Sequence, residues 1–179
     1  FTYSDWSRDV LKKEGAGKLS LNGCAPPGVD IDTFKPVDNK TAHKTSMGLE
    51  EGVKVIGTVM RNQKRKLYPD LFAAFREYLD ECERQGRTEL AKKTFLYCHT
   101  SYPDVGWDFP TLLKEFGLGN KVLFTYLCKK TGKCFPSFFH GAQAVSPFTK
   151  EYTAVFPSVS SGVTDEQLAD IFNLFDVYV

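Results

Sequence analysis

No run of apolar residues in this sequence approaches the length that spans a bilayer. The N-terminus has no basic segment followed by an apolar one, so nothing resembles a secretion signal. We therefore expect a cytoplasmic chain, attached at most to the periphery of a membrane in its full-length form. Excess charge is missing too: 23 Lys and Arg stand against 22 Asp and Glu, a net charge of +1 at pH 7. So even a balance argues against a protein built to coat nucleic acid, and no nucleic-acid partner is expected. Cysteine is sparse and odd in number, five in 179 residues, which excludes a dense disulfide scaffold and fits a reducing compartment. Nothing beyond the presence of the residue types supports a Ser/His/Asp or Cys/His catalytic arrangement. What the chain does have is apolar bulk, 42% hydrophobic residues, enough for one packed domain with appendages. It begins at Phe1 and ends at Val179 inside a strand-like apolar run, and reads as a piece of a longer protein.

The organising stretch is Val53-Lys54-Val55-Ile56-Gly57-Thr58-Val59, a β-branched run that predicts a buried strand. Met60-Arg61-Asn62-Gln63-Lys64-Arg65-Lys66 follows as a basic turn. Leu67, Leu71, Phe72, Phe75, Leu79 and Cys82 then fall at helical spacing, with Pro69 in the first turn and Gly86 past the end. Cations at the carboxyl end of a strand and the start of a helix suit a diphosphate, because ligands of open α/β sheets bind there and helix starts offer free N–H groups. A wet basic loop has the same composition, so both readings stand.

Further strands are predicted at 93–98, 121–124 and 175–179. Helices are expected after Asp108-Phe109-Pro110 and over 165–174, the latter opened by Thr164 and Gln167 as a capping box. Alternation of this kind predicts an α/β fold, a parallel sheet with helices on both faces. Residues 1–17 read as a linking helix or remnant of a preceding domain, with Ser4 as its cap and Trp6, Val10 and Leu11 on one face. Residues 18–52 read as connector and surface loop. Residues 126–163 are too long for a connection and form an irregular insertion in the 53–179 domain.

Pro27-Gly28-Val29-Asp30-Ile31-Asp32-Thr33-Phe34-Lys35-Pro36, then a strand, Arg61, Lys66 and a helix ending its pattern at Phe75, resembles the donor-binding domain of retaining glycosyltransferases of the two-Rossmann-domain (GT-B) type, family 4 above all. The last helix and strand, 163–179, are similar to that family's next element. The resemblance implies a Rossmann-like fold and transfer of a hexose from a UDP or GDP sugar with retention, with no cofactor required. It puts Arg61 and Lys66 on the donor diphosphate and Thr125 and Tyr126 near the nucleobase; His99, at the carboxyl end of a strand on the ligand-facing edge, is a candidate donor contact by position, its other reading a polar loop residue. The acceptor, whether glycan, lipid or protein, would lie on an N-terminal domain that this chain does not contain. The family's acidic E-x7-E motif is also absent, so these residues by themselves are expected not to catalyse transfer, and no catalytic residue is assigned. The rival from another class is a silent Rossmann-like module that binds a phosphorylated partner or nucleic acid through the basic turn.

The insertion carries Cys128, Cys134 and His140, candidate zinc ligands, but structural zinc takes four, usually with C-x2-4-C spacing, and Ser146-Pro147-Phe148-Thr149 stands where a second pair would be. The other reading is a knob packed by Phe135, Phe138 and Phe139. Asp30 and Asp32 are expected to brace turns. Tyr102, Trp107 and Phe109 are expected to pack.

Overall fold

Ser4 and Asp5 open the first helix of the chain, α1 (Asp5–Glu14): the Ser4 hydroxyl accepts from the Ser7 N–H, and Gly15 closes the other end. The computed structural model describes all residues, 1–179, and divides them into two compact units, Phe1–Lys35 and Pro36–Val179. In the first unit α1 buries none of its residues. Thr2 pairs with Cys24 in a parallel bridge. Asp30 braces a turn, accepting from the Asp32 N–H at 2.9 Å and from the Thr33 hydroxyl at 2.8 Å. The unit boundary falls inside the segment 18–52. Residues 36–52 belong to the larger unit, where polar 35–52 contains a helix rather than only a loop.

That helix is α2 (Lys40–Ser46), capped by the Asn39 side chain. After it come β1 (Lys54–Val59), a single 3-10 turn (Lys64–Lys66), α3 (Tyr68–Arg84), α4 (Thr88–Lys93), β2 (Thr94–His99), α5 (Phe109–Glu115) and β3 (Val122–Cys128). The insertion adds β4 (Cys134–Ser137), β5 (Gln143–Ala144) and β6 (Ala154–Val155); α6 (Asp165–Phe172) and β7 (Val177–Tyr178) follow. The capping box at Thr164 and Gln167 is present in full.

β1 lies between β2 and β7 and is parallel to both, and β3 is parallel to β2. The strand order β3-β2-β1-β7 shows that the chain winds outward from β1 and then returns to β1's other side. Two apolar cores lie on the two faces of the sheet, as the period-2 alternation of buried strands requires. Leu96, Cys98, Val122 and Phe124 meet α3 and α5 on one face, whereas Val55, Tyr97 and Leu123 meet Ile171 of α6 with Leu174 and Phe175 on the other. The fold is α/β and Rossmann-like.

The sheet is mixed rather than all parallel, and the insertion is the cause. β3 runs four residues beyond its pairing with β2, and this end of the strand takes β4 antiparallel from Phe124 to Leu127 and β6 at Leu127 and Cys128. The phenylalanines of 126–163 pack onto the sheet instead of into a separate knob. Phe139 and Phe156 close on Phe124 at 5.8 and 5.4 Å between ring centres, and Phe138 meets Phe95 on the opposite face at 6.1 Å.

Lys44 anchors α2. Its ammonium is buried, 2.9 Å from the Val53 carbonyl and 2.5 Å from Asp176 Oδ2, which also accepts from the Val55 N–H at 2.8 Å. Burial works to raise the Asp176 pKa, but Lys44 and the Val55 N–H together hold it below the usual carboxylate value. One carboxylate thus joins α2, the start of β1 and the approach to β7.

Candidate functional site at the carboxyl edge of the sheet

A cavity of about 350 Å³ opens beyond the carboxyl ends of β1 and β2. One wall is Val59, Met60 and Arg61, and a second is His99, Thr100 and Ser101. A third comes from the insertion, whose last loop crosses this edge on its way to α6 and contributes Pro157, Val159 and Val163. An open α/β sheet binds ligands at this edge, beside the strand where the winding reverses. Here that strand is β1. A second concavity, of about 430 Å³, lies among Met47, Cys134, Phe148 and Asp170 and includes no residue of β1 or β2.

Arg61 reaches the cavity as a held group. Its Nε and Nη2 donate to Asp104 Oδ2 and Oδ1 at 2.8 and 3.0 Å, a bidentate pair between the β1–α3 and β2–α5 loops. The Asp104 carboxylate is nearly buried, whereas about half of the Arg61 side chain is exposed. Arg61, then Ser101 and the Val105 N–H, hold the Asp104 pKa well below the usual carboxylate range, and Asp104 in turn raises that of Arg61. The pair uses one edge of the guanidinium, leaving the N–H groups of Nη1 unengaged by Asp104.

The neighbouring Asn62 is fully buried. Its Nδ2 donates to the Trp107 carbonyl at 2.8 Å and its Oδ1 accepts from the Trp107 N–H at 2.8 Å, so one side chain pairs with a backbone as a strand would. Gly106 makes room for it: a Cβ there would stand 2.1 Å from Asn62 Oδ1. Lys64 completes the tie between the loops with its ammonium 4.0 Å from the Trp107 ring centre. Most of the basic turn is therefore structural. Arg65 turns to Gln63 at 3.1 Å, and Lys66 is half-buried and lies off the cavity wall, as do the first residues of α3. Of the two cations that the resemblance puts on a diphosphate, the structure brings Arg61 to the cavity wall and not Lys66.

Thr100 adds a polar group that the sequence did not single out. The residue is on the cavity wall, but its hydroxyl is buried beside the Tyr68 phenol. The adjacent Tyr68 phenol already donates to the Met60 carbonyl at 2.8 Å.

Of the three residues named for nucleobase or donor contacts, only His99 lines the cavity. Thr125 and Tyr126 are corrected to core positions. Both are fully buried in β3, which continues through them rather than ending before them. The Thr125 hydroxyl lies 2.9 Å from Tyr97 Oη, and the Tyr126 phenol donates to the Gly141 carbonyl at 2.8 Å while accepting from the His140 N–H at 3.0 Å. Asp104, Asn62, Thr100 and the 157–163 loop carried no local signal, since each acquires its place from a partner distant in sequence.

Cys128, Cys134 and His140 are not brought together, and no group of three or more His, Cys, Asp or Glu side chains is placed to hold a metal. Cys134 lies in β4 opposite Leu127, and His140 is in the loop beyond β4. The partners of Cys128 are different. Residues 128–132 and 146–150 form matching turns, each closed by the fifth residue's N–H on the first residue's carbonyl, Gly132 to Cys128 at 2.8 Å and Lys150 to Ser146 at 2.9 Å. Each fifth residue has positive φ, 70° and 59°. The first and fourth positions, Cys128 with Thr131 and Ser146 with Thr149, have the C-x2-C spacing of paired zinc knuckles, filled by one thiol and three hydroxyls. The hydroxyls of Ser146, Thr131 and Thr153 surround the Cys128 sulfur, and Thr149 bonds Thr153 at 2.7 Å.

No helix is long and apolar enough to cross a membrane. Comparison of the chain with protein-family models, with curated proteins and with solved structures gave no match.

Proposed function

We propose that residues 36–179 are the donor-binding domain of a retaining hexosyltransferase, and that a nucleoside-diphosphate sugar occupies the cavity at the carboxyl ends of β1 and β2 with its diphosphate on Arg61. The observation that carries this is the preoriented arginine. A guanidinium fixed along one edge by Asp104 stands on the wall of a cavity at the place where an α/β sheet receives phosphate. Departure of a nucleoside diphosphate builds negative charge on the leaving oxygens, and a donor set in place beforehand stabilises that charge without reorganising. Lys66 acts as a cation at longer range. The acceptor and the acidic groups that grip the sugar belong to parts of the enzyme outside this chain.

Calorimetric titration of the chain with UDP, GDP and their hexose conjugates tests the reading. Saturable binding that prefers one base is expected, and Arg61→Ala should weaken it roughly 10- to 100-fold, the worth of a hydrogen bond to a charged group. Binding that follows polyanion charge, ignores the base and disappears with added salt would instead identify a non-catalytic module that binds phosphorylated partners.

A further inference from the structure

His99 ends β2 on the cavity wall, and the Met60 N–H donates to its carbonyl at 3.1 Å, which sets it beside the strand end that carries Arg61. Its Nδ1 lies 2.9 Å from Thr125 Oγ1, and the same oxygen lies 2.9 Å from Tyr97 Oη. Tyr97 and Thr125 are fully buried, so the three groups form a closed relay reached by solvent only at its histidine end. Their protons cannot be shared out freely. A phenol and a hydroxyl carry one proton each, and a neutral imidazole carries one on either nitrogen. If Nδ1 held the proton and gave it to Thr125, either the Thr125 or the Tyr97 proton would be buried without an acceptor in the relay. If instead Tyr97 donates to Thr125 and Thr125 donates to Nδ1, every buried proton is used. The imidazole proton then stands on Nε2. Burial pushes the His99 pKa down to about 4, so the ring is neutral at neutral pH and does not escape the choice by protonating both nitrogens.

We propose that His99 is a further ligand-binding residue of this cavity, its Nε2–H fixed as a donor by the Tyr97–Thr125 relay and hydrogen-bonded to an oxygen of the diphosphate held by Arg61. This rests on the reading of the cavity as a nucleotide-sugar site. A neutral donor suits the position, because a second cation beside Arg61 would be repelled in the empty site. The wrong tautomer would turn a lone pair toward the phosphate and repel it. Tyr97 and Thr125 are positioning residues: they touch no ligand and act through the imidazole.

Two measurements on the whole chain separate this from the function it rests on. Nitrogen-15 NMR of the ligand-free protein is expected to show His99 protonated at Nε2 and bare at Nδ1, and Tyr97→Phe, which removes the proton that orders the relay, should mix the two tautomers. A protonated Nδ1 in the natural protein overturns the proposal whatever binds. In titrations with UDP and GDP, His99→Ala is expected to weaken binding roughly 10- to 100-fold. His99→Gln keeps an N–H donor and should recover most of the loss, which a folding defect would not. Weaker binding in Arg61→Ala with unchanged binding in His99→Ala overturns the role of His99 and leaves the diphosphate site standing. No effect of either substitution, or no binding by any nucleotide, removes the site itself and the role of His99 with it.

Discussion

Gly57→Ala is expected to destabilise the α/β unit by about 3 kcal/mol, at the upper end of what overpacking costs. Gly57 sits in the middle of β1, between Tyr97 of β2 and Tyr178 of β7. A Cβ there would lie 2.1 to 2.4 Å from three atoms of the Phe175 ring, far inside contact distance. Neither partner can retreat. β1 is held on both edges by parallel pairing, and Phe175 is buried with its ring centre 5.5 Å from that of Tyr97 and 6.3 Å from that of Tyr178. Ejecting the ring would open the core shared by α6 and the sheet, so the methyl group costs either strain or a cavity. Denaturant unfolding should show a lower midpoint with an unchanged slope. Adding Phe175→Leu to Gly57→Ala should cost less than the two single changes combined, since the ring that clashes is gone. Strict additivity would mean that the clash is relieved some other way.

Asn62→Ala is expected to cost a further measurable amount by another route, about 2 to 3 kcal/mol. The side chain is buried and both its amide groups pair with Trp107 backbone, so truncation leaves an N–H and a carbonyl without partners at a site water does not easily reach. The consequence extends to the cavity. Asn62 stands next to Arg61, and Trp107 lies three residues beyond Asp104, so the loops that carry the ion pair are the loops this amide joins. Asn62→Ala should therefore lower both the unfolding temperature and the affinity for a nucleotide, and hydrogen exchange should show the Trp107 amide losing protection. Full protection of that amide in the variant would show that Asn62 is not what orders the loops. Asn62→Asp discriminates further, because an acceptor-only side chain keeps the bond from the Trp107 N–H but sets a second oxygen against the Trp107 carbonyl.

Features that depend on neighbours in sequence were legible from the residues alone. The β-branched run of β1, the helical spacing of Phe72, Phe75, Leu79 and Cys82, and the Thr164–Gln167 box all recur where local chemistry puts them. Their causes, side-chain branching, apolar periodicity and a cap's reach to the next turn, act within a few residues. Arg61 at the carboxyl end of β1 follows from the same local reading. α2 was less visible because its stretch is polar and its anchor is a lysine, a residue that belongs on the surface until a buried carboxylate is provided for it.

By itself the sequence determined an α/β chain with a basic turn at a strand end and an insertion after the third strand. The tertiary structure decided which of those cations face a cavity and which are spent on loops. It also decided that Thr125 and Tyr126 are core, that Cys128 is surrounded by hydroxyls rather than by Cys134 and His140, and that the insertion walls the candidate site. The physical reason is the same in each case. Arg61 and Asp104, Asn62 and Trp107, and Tyr97 and Thr125 are 43, 45 and 28 residues apart, and a side chain's partner, burial and proton are set by what folding brings against it.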